Sequence, residues 1–237
     1  MKIYRIIVIA LLLSGCAKNI DMVAQSYHDT SIGFDLTKDI ILSNNSHKIF
    51  RGGNNQGSDH LNMLEQGYIM IEYSSFDKND IALRGANFNE SQVLLQANKV
   101  YSSVVLLYAN MMQPMYLGLQ GGLIPVNRNR YLATYYIKTK APIFGVYILD
   151  LSPEVRQKIG SNNGVIVNVV VKDSPVFLAD ILKGNIIRKI GYIDIVDVKS
   201  FQEVFRHYIG QTVNVLILRD GHEINKQIQL NECCISI

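Results

Sequence analysis

Residues 164–190 read GVIVNVVVKDSPVFLADILKGNIIRKI, and this stretch decides the fold. Gly164 to Val171 are β-branched or apolar apart from one Asn, which predicts a strand buried on both faces. Lys172-Asp173-Ser174-Pro175 ends it. Pro175 has no N–H to give a ladder, suits the first turn of a helix, and follows a serine able to cap one. A short helix from Pro175 to about Ile181 is therefore expected. Lys183-Gly184-Asn185 turns the chain back, and Ile186 to Ile190 forms a second strand.

The order of strand, Ser-Pro, short helix, Leu-x-Gly-Asn-x-Ile and strand resembles the PDZ domains of bacterial envelope proteins, those of the high-temperature-requirement serine proteases in particular. These carry a Ser-Pro-Ala, Ala-Gly-Leu, Gly-Asp-x-Ile pattern at this spacing. Two positions depart from it: Asn185 stands where Asp is usual, and Asp180 where Gly is common. Asn keeps a side-chain oxygen that can cap the turn but brings no charge.

Upstream, Met1 to Cys16 reads MKIYRIIVIALLLSGC. Lys2 and Arg5 make a basic start, and Ile6 to Leu13 is an apolar run too short to span about 30 Å of hydrocarbon, the arrangement of a secretory signal. Leu13-Ser14-Gly15-Cys16 resembles the lipobox of bacterial lipoproteins, which implies cleavage before Cys16 and acylation of its thiol and new N-terminus. Several acyl chains anchor a protein stably where one does not. Ala17 follows, and by resemblance to lipoprotein sorting in bacteria with two membranes the absence of Asp there favours the outer membrane.

Removing residues 1–15 takes away two basic residues and no acid, so 23 basic against 20 acidic becomes 21 against 20. Such a balance asks for no nucleic acid partner. An apolar fraction of 48% supplies a core, and the remaining length suits two small domains. With Cys16 assigned to lipid, Cys233 and Cys234 remain, so no disulfide framework staples the fold. Adjacent cysteines bridge one another only with a distorted peptide, and two thiolates are too few for a closed metal site, which leaves a tail beyond the last strand or a redox or intermolecular role. No cofactor motif is present: Arg51-Gly52-Gly53-Asn54-Asn55-Gln56-Gly57 lacks the Gly-Lys-Ser/Thr ending of a phosphate loop and reads as a turn.

Residues 16–37 read as a tether, and structure begins at about residue 38. Ile40 to Leu42 and Lys48 to Arg51 are short strands separated by a Ser-Asn-Asn-Ser turn. Ser58 is expected to cap a helix to about Gln66, with Leu61 and Leu64 inward and Gly67 as its stop. Tyr68 to Tyr73 is a strand of alternating faces, Ser91 to about Ser102 a helix carrying Val93, Leu94, Ala97 and Val100, and Val104 to Ala109 and Tyr131 to Thr139 further strands. The Gly-, Pro- and Met-containing loop from Asn110 to Arg130 is expected to be irregular. Leu64, Gly67, Tyr68, Ile71, Tyr73 to Phe76, Gln96, Ala97 and Val104 to Leu107, placed before such a second domain, are similar to a family of bacterial PDZ-containing lipoproteins. That resemblance speaks to architecture rather than to an activity. The whole chain is expected to be α+β: signal 1–15, tether 16–37, a small α/β domain 38–140, a PDZ domain 141–232 and a tail 233–237.

Pro142-Ile143-Phe144-Gly145-Val146 resembles the loop that receives a peptide carboxylate in PDZ domains. The chemistry needs successive backbone N–H groups turned into one concavity, and Gly145 allows the tight turn. An incoming tail would then pair with the strand Val146, Tyr147, Ile148, Leu149. Ser152-Pro153 starts a helix, Asp197 caps another over Val198 to about Tyr208, and Arg219-Asp220-Gly221-His222 joins a closing hairpin of Val213 to Leu218 and Glu223 to Leu230. On the second helix Phe201, Val204, Phe205 and Tyr208 form a stripe, with Phe201, Val204 and Phe205 as candidates for the peptide side-chain pocket.

Catalytic signals are missing from the sequence. His28, His47, His60, His207 and His222 fit no His-Glu-x-x-His pattern, there is no Gly-x-Ser-x-Gly elbow or Gly-Asp/Asn-Ser-Gly loop, and about 100 residues before the second domain are too few for a trypsin-like barrel. His60 beside Asp59 and His207 beside Glu203 read as exposed helix residues. The expectation is a non-enzymatic adaptor or scaffold of the cell envelope, anchored by lipid and facing the periplasm, that binds C-termini or extended segments of other envelope proteins. The alternatives are a regulatory or catalytic subunit of an envelope protease or cell-wall enzyme with its site in residues 38–140, and a domain whose groove is blocked and which only packs against its neighbour.

Overall fold

The computed structural model describes residues 40–41, 47–77, 90–108, 115–117, 122–124 and 130–232. Cys16, the tether, the 43–46 turn and the Cys233-Cys234 pair lie outside them. No helix among the described residues is long and apolar enough to cross a membrane. Strands and helices alternate in mixed α+β fashion and form two main sheets.

The first sheet is centred on β7 (Arg130–Thr139), which pairs antiparallel with β3 (Tyr68–Asp77), β4 (Val104–Tyr108) and β1 (Ile40–Ile41). β2 (Lys48–Arg51) runs parallel to β4 at the other end. Helices α1 (Gln56–Glu65) and α2 (Glu90–Lys99) bury Leu64, Val93 and Ala97 against it. Three expectations are corrected here. Asn55, not Ser58, caps α1: its Oδ1 accepts from Ser58 N–H at 3.1 Å, so the helix starts earlier and Ser58 lies within it. β3 does not alternate evenly. Its pairing with β7 shifts between Met70 and Glu72, and the extra residue Ile71 leaves Ile69, Met70, Ile71 and Glu72 all buried. The 110–130 segment is not wholly irregular, since β5 (Met115–Leu117) and β6 (Gly122–Ile124) pair antiparallel within it. Gly67, at φ +72°, stops α1 as expected.

The second sheet runs β13-β12-β10-β9-β8, with β11 (Ile193–Asp194) on β10. Its strands are β8 (Val146–Asp150), β9 (Val165–Val170), β10 (Ile186–Ile190), β12 (Thr212–Arg219) and β13 (His222–Gln229). Helix α3 (Pro153–Ile159) carries the expected Ser152 cap, and α5 (Val198–Arg206) a capping box between Asp197 and Ser200. Asp220 and Gly221 take φ +52° and +82°, the pair of positive values that a two-residue hairpin turn requires.

Helix α4 (Pro175–Leu178) starts at the Ser174 cap but ends well before Ile181, because Asp180 adopts φ +56° and no helix passes through a left-handed residue. This is the position where the resemblance puts Gly. The Asp180 carboxylate accepts from Arg219 Nη1 and Lys226 Nζ, both at 3.1 Å. Buried Asn185 caps the next turn through Oδ1, which accepts from Leu182 N–H at 2.9 Å and from Arg219 Nε and Nη2 at 3.2 and 2.9 Å.

β9 is not buried on both faces throughout; its odd residues are covered and its even residues half-covered. Its register against β8 explains where they go. Ile148 pairs with Val167 and Tyr147 with Val169, so Asn168 is an extra residue in β9, and a bulge reverses which face the following side chains take. Val165 and Val167 belong to the core of the second domain with Phe144, Val146, Ile148 and Phe201. Val169 and Val171 belong instead to the core of the first, with Leu64, Ile69 and Tyr136. Lys172 N–H donates to Glu65 O at 2.8 Å across the same junction.

Candidate functional site

One end of the second sheet is β8, which among the described residues pairs with β9 alone. Helix α5 packs alongside it. Between Lys140 and β8 lies the loop 141–145, and its hydrogen bonds fix the direction of each peptide plane. Pro142 O accepts from Asn231 Nδ2 at 2.8 Å, and Ile143 O from Asn231 N–H at 3.1 Å. Phe144 O accepts from Val176 N–H at 3.2 Å, and Gly145 O from Val171 N–H at 2.9 Å. In a trans peptide the N–H points opposite to the preceding C=O, and every peptide here is trans. Four carbonyls are thus tied to the domain, and the N–H groups of Ile143, Phe144, Gly145 and Val146 are turned the other way.

The turn requires glycine. Gly145 has φ +96°, and a Cβ there would sit 2.1 Å from Ser174 Cβ. Ser174, fully buried, caps α4 through Phe177 N–H at 3.2 Å. Strand, loop and Ser-Pro helix therefore lock together, and the quoted stretch 164–190 positions the loop through Val171 and Val176.

The predicted peptide-binding residues fall into three groups. Val146 and Ile148 point into the domain core with Phe144, Phe201 and Phe205, and the three Phe rings meet at centroid distances of 5.5, 5.6 and 6.1 Å. Val204 lies at the edge of that core with 8% of its surface exposed, and Leu149 is half-exposed. Tyr147 points away into the first domain's core, so its contribution to the edge is its backbone. Residues 146, 147 and 148 expose 4%, 1% and 1% of their surface, so the edge of β8 is covered in this structure.

Two polar groups in the first domain escaped the sequence reading. His60 is not an exposed helix residue: it is 97% covered, its Nδ1 lies 3.2 Å from the Tyr136 hydroxyl, and burial lowers its pKa to about 4. Asp59 instead caps Gly53 N–H at 2.6 Å. Glu72 is also buried, both its oxygens accepting from Gln96 Nε2 at 2.9 Å, and burial raises its pKa despite that bond. His207 is exposed, as expected. Among the described residues no group of acidic, His and Cys side chains could hold a metal.

Residues 144–230 match the family model described as the PDZ domain. This part of the chain is a PDZ domain. It is similar to those of HtrA- and DegP-type proteins. Over 89 residues, 36% of this chain, it is 35% identical to a probable periplasmic serine endoprotease DegP-like of Rickettsia prowazekii (strain Madrid E). Over 101 residues, 39% of this chain, it is 32% identical to a serine protease Do-like HtrA of Lactobacillus helveticus. The chain covers 17% and 24% of those two proteins. Similar solved structures include the HtrA-type protease AlgW with a decapeptide, at 20% identity over 49% of this chain and 40% of that one, TM-score 0.33. Another is the HtrA3 PDZ domain bound to a phage-derived ligand, at 20% identity over 37% of this chain and 83% of that one, TM-score 0.33.

Proposed function

We propose that this protein is a non-enzymatic, lipid-anchored component of the bacterial cell envelope whose PDZ domain binds C-terminal or extended segments of other envelope proteins, as an adaptor or scaffold. The observation that carries the binding half is the anchoring of the loop carbonyls. With those of Ile143, Phe144 and Gly145 held by Asn231, Val176 and Val171, the amides of Phe144, Gly145 and Val146 are left turned away from those partners, ahead of the edge strand. A carboxylate is the complement of such a row of N–H groups, and an extended chain is the complement of the β8 edge once that edge is uncovered. The anchor and the periplasmic side rest on the Leu-Ser-Gly-Cys sequence and on the similarity to the DegP-like protein of Rickettsia prowazekii, a probable periplasmic endoprotease.

Because the edge of β8 is covered, an incoming strand first has to uncover it, which lowers the association rate and the apparent affinity. The test is a displayed library of peptides with free C-termini panned against the full chain. Recovery of sequences with a shared apolar terminal residue supports the reading. Recovery of none, or of sequences that bind equally as internal segments, overturns the carboxylate part of it.

A further inference from the structure

We infer that Asn231 is the positioning residue of the carboxylate loop, an inference that rests on the peptide-binding reading and deepens it. Asn231 follows β13 and is far from the loop in sequence, yet it holds two consecutive peptide planes of it. Its Nδ2 donates to Pro142 O at 2.8 Å and its N–H to Ile143 O at 3.1 Å. The acceptor at Pro142 also fixes the amide orientation, since only the NH2 end of Asn can donate. The planes so held are those carrying the Ile143 N–H, fixed by the Asn231 side chain, and the Phe144 N–H, fixed by the Asn231 backbone, and both N–H groups are turned away from Asn231.

Three of the four planes are held by backbone donors, Asn231 N–H, Val176 N–H and Val171 N–H, which no side-chain change removes, and the Pro142 plane alone depends on a side chain, that of Asn231. The weak Ser174 Oγ contact to Gly145 O, at 3.5 Å, adds little to the last of the three. Asn231 is itself fixed on its other side, because its C=O accepts from Gly210 N–H at 3.3 Å just beyond the end of α5. One residue therefore ties the loop ahead of β8 to the segment just beyond α5. Its side chain holds the plane on which the loop begins, and the aim of the amides that follow is set from there.

A stabilising role alone would move melting temperature and all binding together, whereas aiming the amides acts on the terminal charge alone. The readout is therefore a ratio. The immobilised full chain is exposed to a degenerate pool of acetylated pentapeptides ending in Val, Leu or Ile, as free acids and as C-terminal amides, and retained peptides are counted by mass spectrometry. Wild type should retain free acids roughly ten-fold or more over amides, as a hydrogen-bonded charge implies. Asn231→Ala should lower that ratio about five-fold, the equivalent of one ordinary hydrogen bond, with amide retention unchanged. Gln229→Ala is the control, since it removes side-chain bonds to Gly210 O and Leu230 O from the same segment without touching the loop. It should leave the ratio at the wild-type value. An unchanged ratio in Asn231→Ala, or an equal fall in Gln229→Ala, overturns the role of Asn231 while leaving peptide binding intact. No free-acid preference in wild type overturns the carboxylate reading itself and this inference with it.

Discussion

Tyr147 and Val169 face one another across β8 and β9, and both side chains leave the PDZ core to enter the core built on β3, β4 and β7. Their neighbours Val146 and Val170 form the adjoining pair and pack on the PDZ side. β8 is thus a wall of both cores.

Tyr147 should therefore matter with opposite sign in two contexts. In the full chain Tyr147→Thr opens a cavity among buried residues and should cost about 3 kcal/mol in chemical denaturation. Residues 141–232 alone should still melt cooperatively, because Phe144, Val165, Ile187, Phe201 and Val215 make a separate core. That fragment exposes Tyr147, Val169 and Val171, so there Tyr147→Thr should reduce aggregation without a comparable loss. A fragment that shows no sharp transition would mean that the two domains share one folding unit.

Stability should fall on acidification through His60. Its folded pKa of about 4 lies below the ordinary value of 6.5, so the unfolded chain takes up a proton first as pH falls. The contribution of neutral, buried His60 is complete above about pH 6.5 and is lost progressively down to about pH 4, roughly 3 kcal/mol in all. Glu72 acts in the opposite sense, since its raised pKa favours the folded state as it protonates. Comparing wild type with His60→Gln at pH 7 and pH 4.5 isolates the histidine: the two should differ less at the lower pH. An equal difference at both would remove His60 as the source.

Asn185 sits where its side-chain oxygen accepts from Leu182 N–H and from Arg219. Asn185→Asp keeps the accepting oxygen and gives it charge, and should raise the midpoint of unfolding by the equivalent of about 1 kcal/mol at pH 7. Asn185→Leu leaves a donor and a guanidinium without their partner and should cost roughly 2–3 kcal/mol. A destabilised Asp variant would show that the site rejects a second carboxylate beside Asp180.

Gly145→Ala puts a side chain on a φ of +96° and against Ser174, a strain of about 1–3 kcal/mol from the backbone alone. Melting should fall accordingly and free-acid peptides should be lost. Binding that survives the substitution would place the peptide somewhere other than this loop.

Cys16→Ser should release the protein from the membrane fraction and end its labelling by a fatty-acid analogue, as the resemblance of Leu-Ser-Gly-Cys to a lipobox implies. Persistent labelling of the variant would point to a different attachment site.

By itself the sequence determined what depends on neighbouring residues. The Ser174-Pro175 and Ser152-Pro153 starts, the Asp197 cap, the Asp220-Gly221 turn and the Gly67 stop all stand where local chemistry puts them, because caps and turns are made within a few residues. Helical and strand periods placed the main elements for the same reason. Tertiary structure alone decided the rest. Bulges at Ile71 and Asn168 are set by the partner strand's register, and each reverses the faces that an even alternation assigns. His60 is buried because Tyr136, 76 positions away, closes over it, and Glu72 is satisfied by Gln96 from a different element. The Pro142 carbonyl is held by Asn231, 89 positions away. Periodicity and spacing carry no information about such pairs, since a hydrogen bond between distant segments exists only once both have been packed in place.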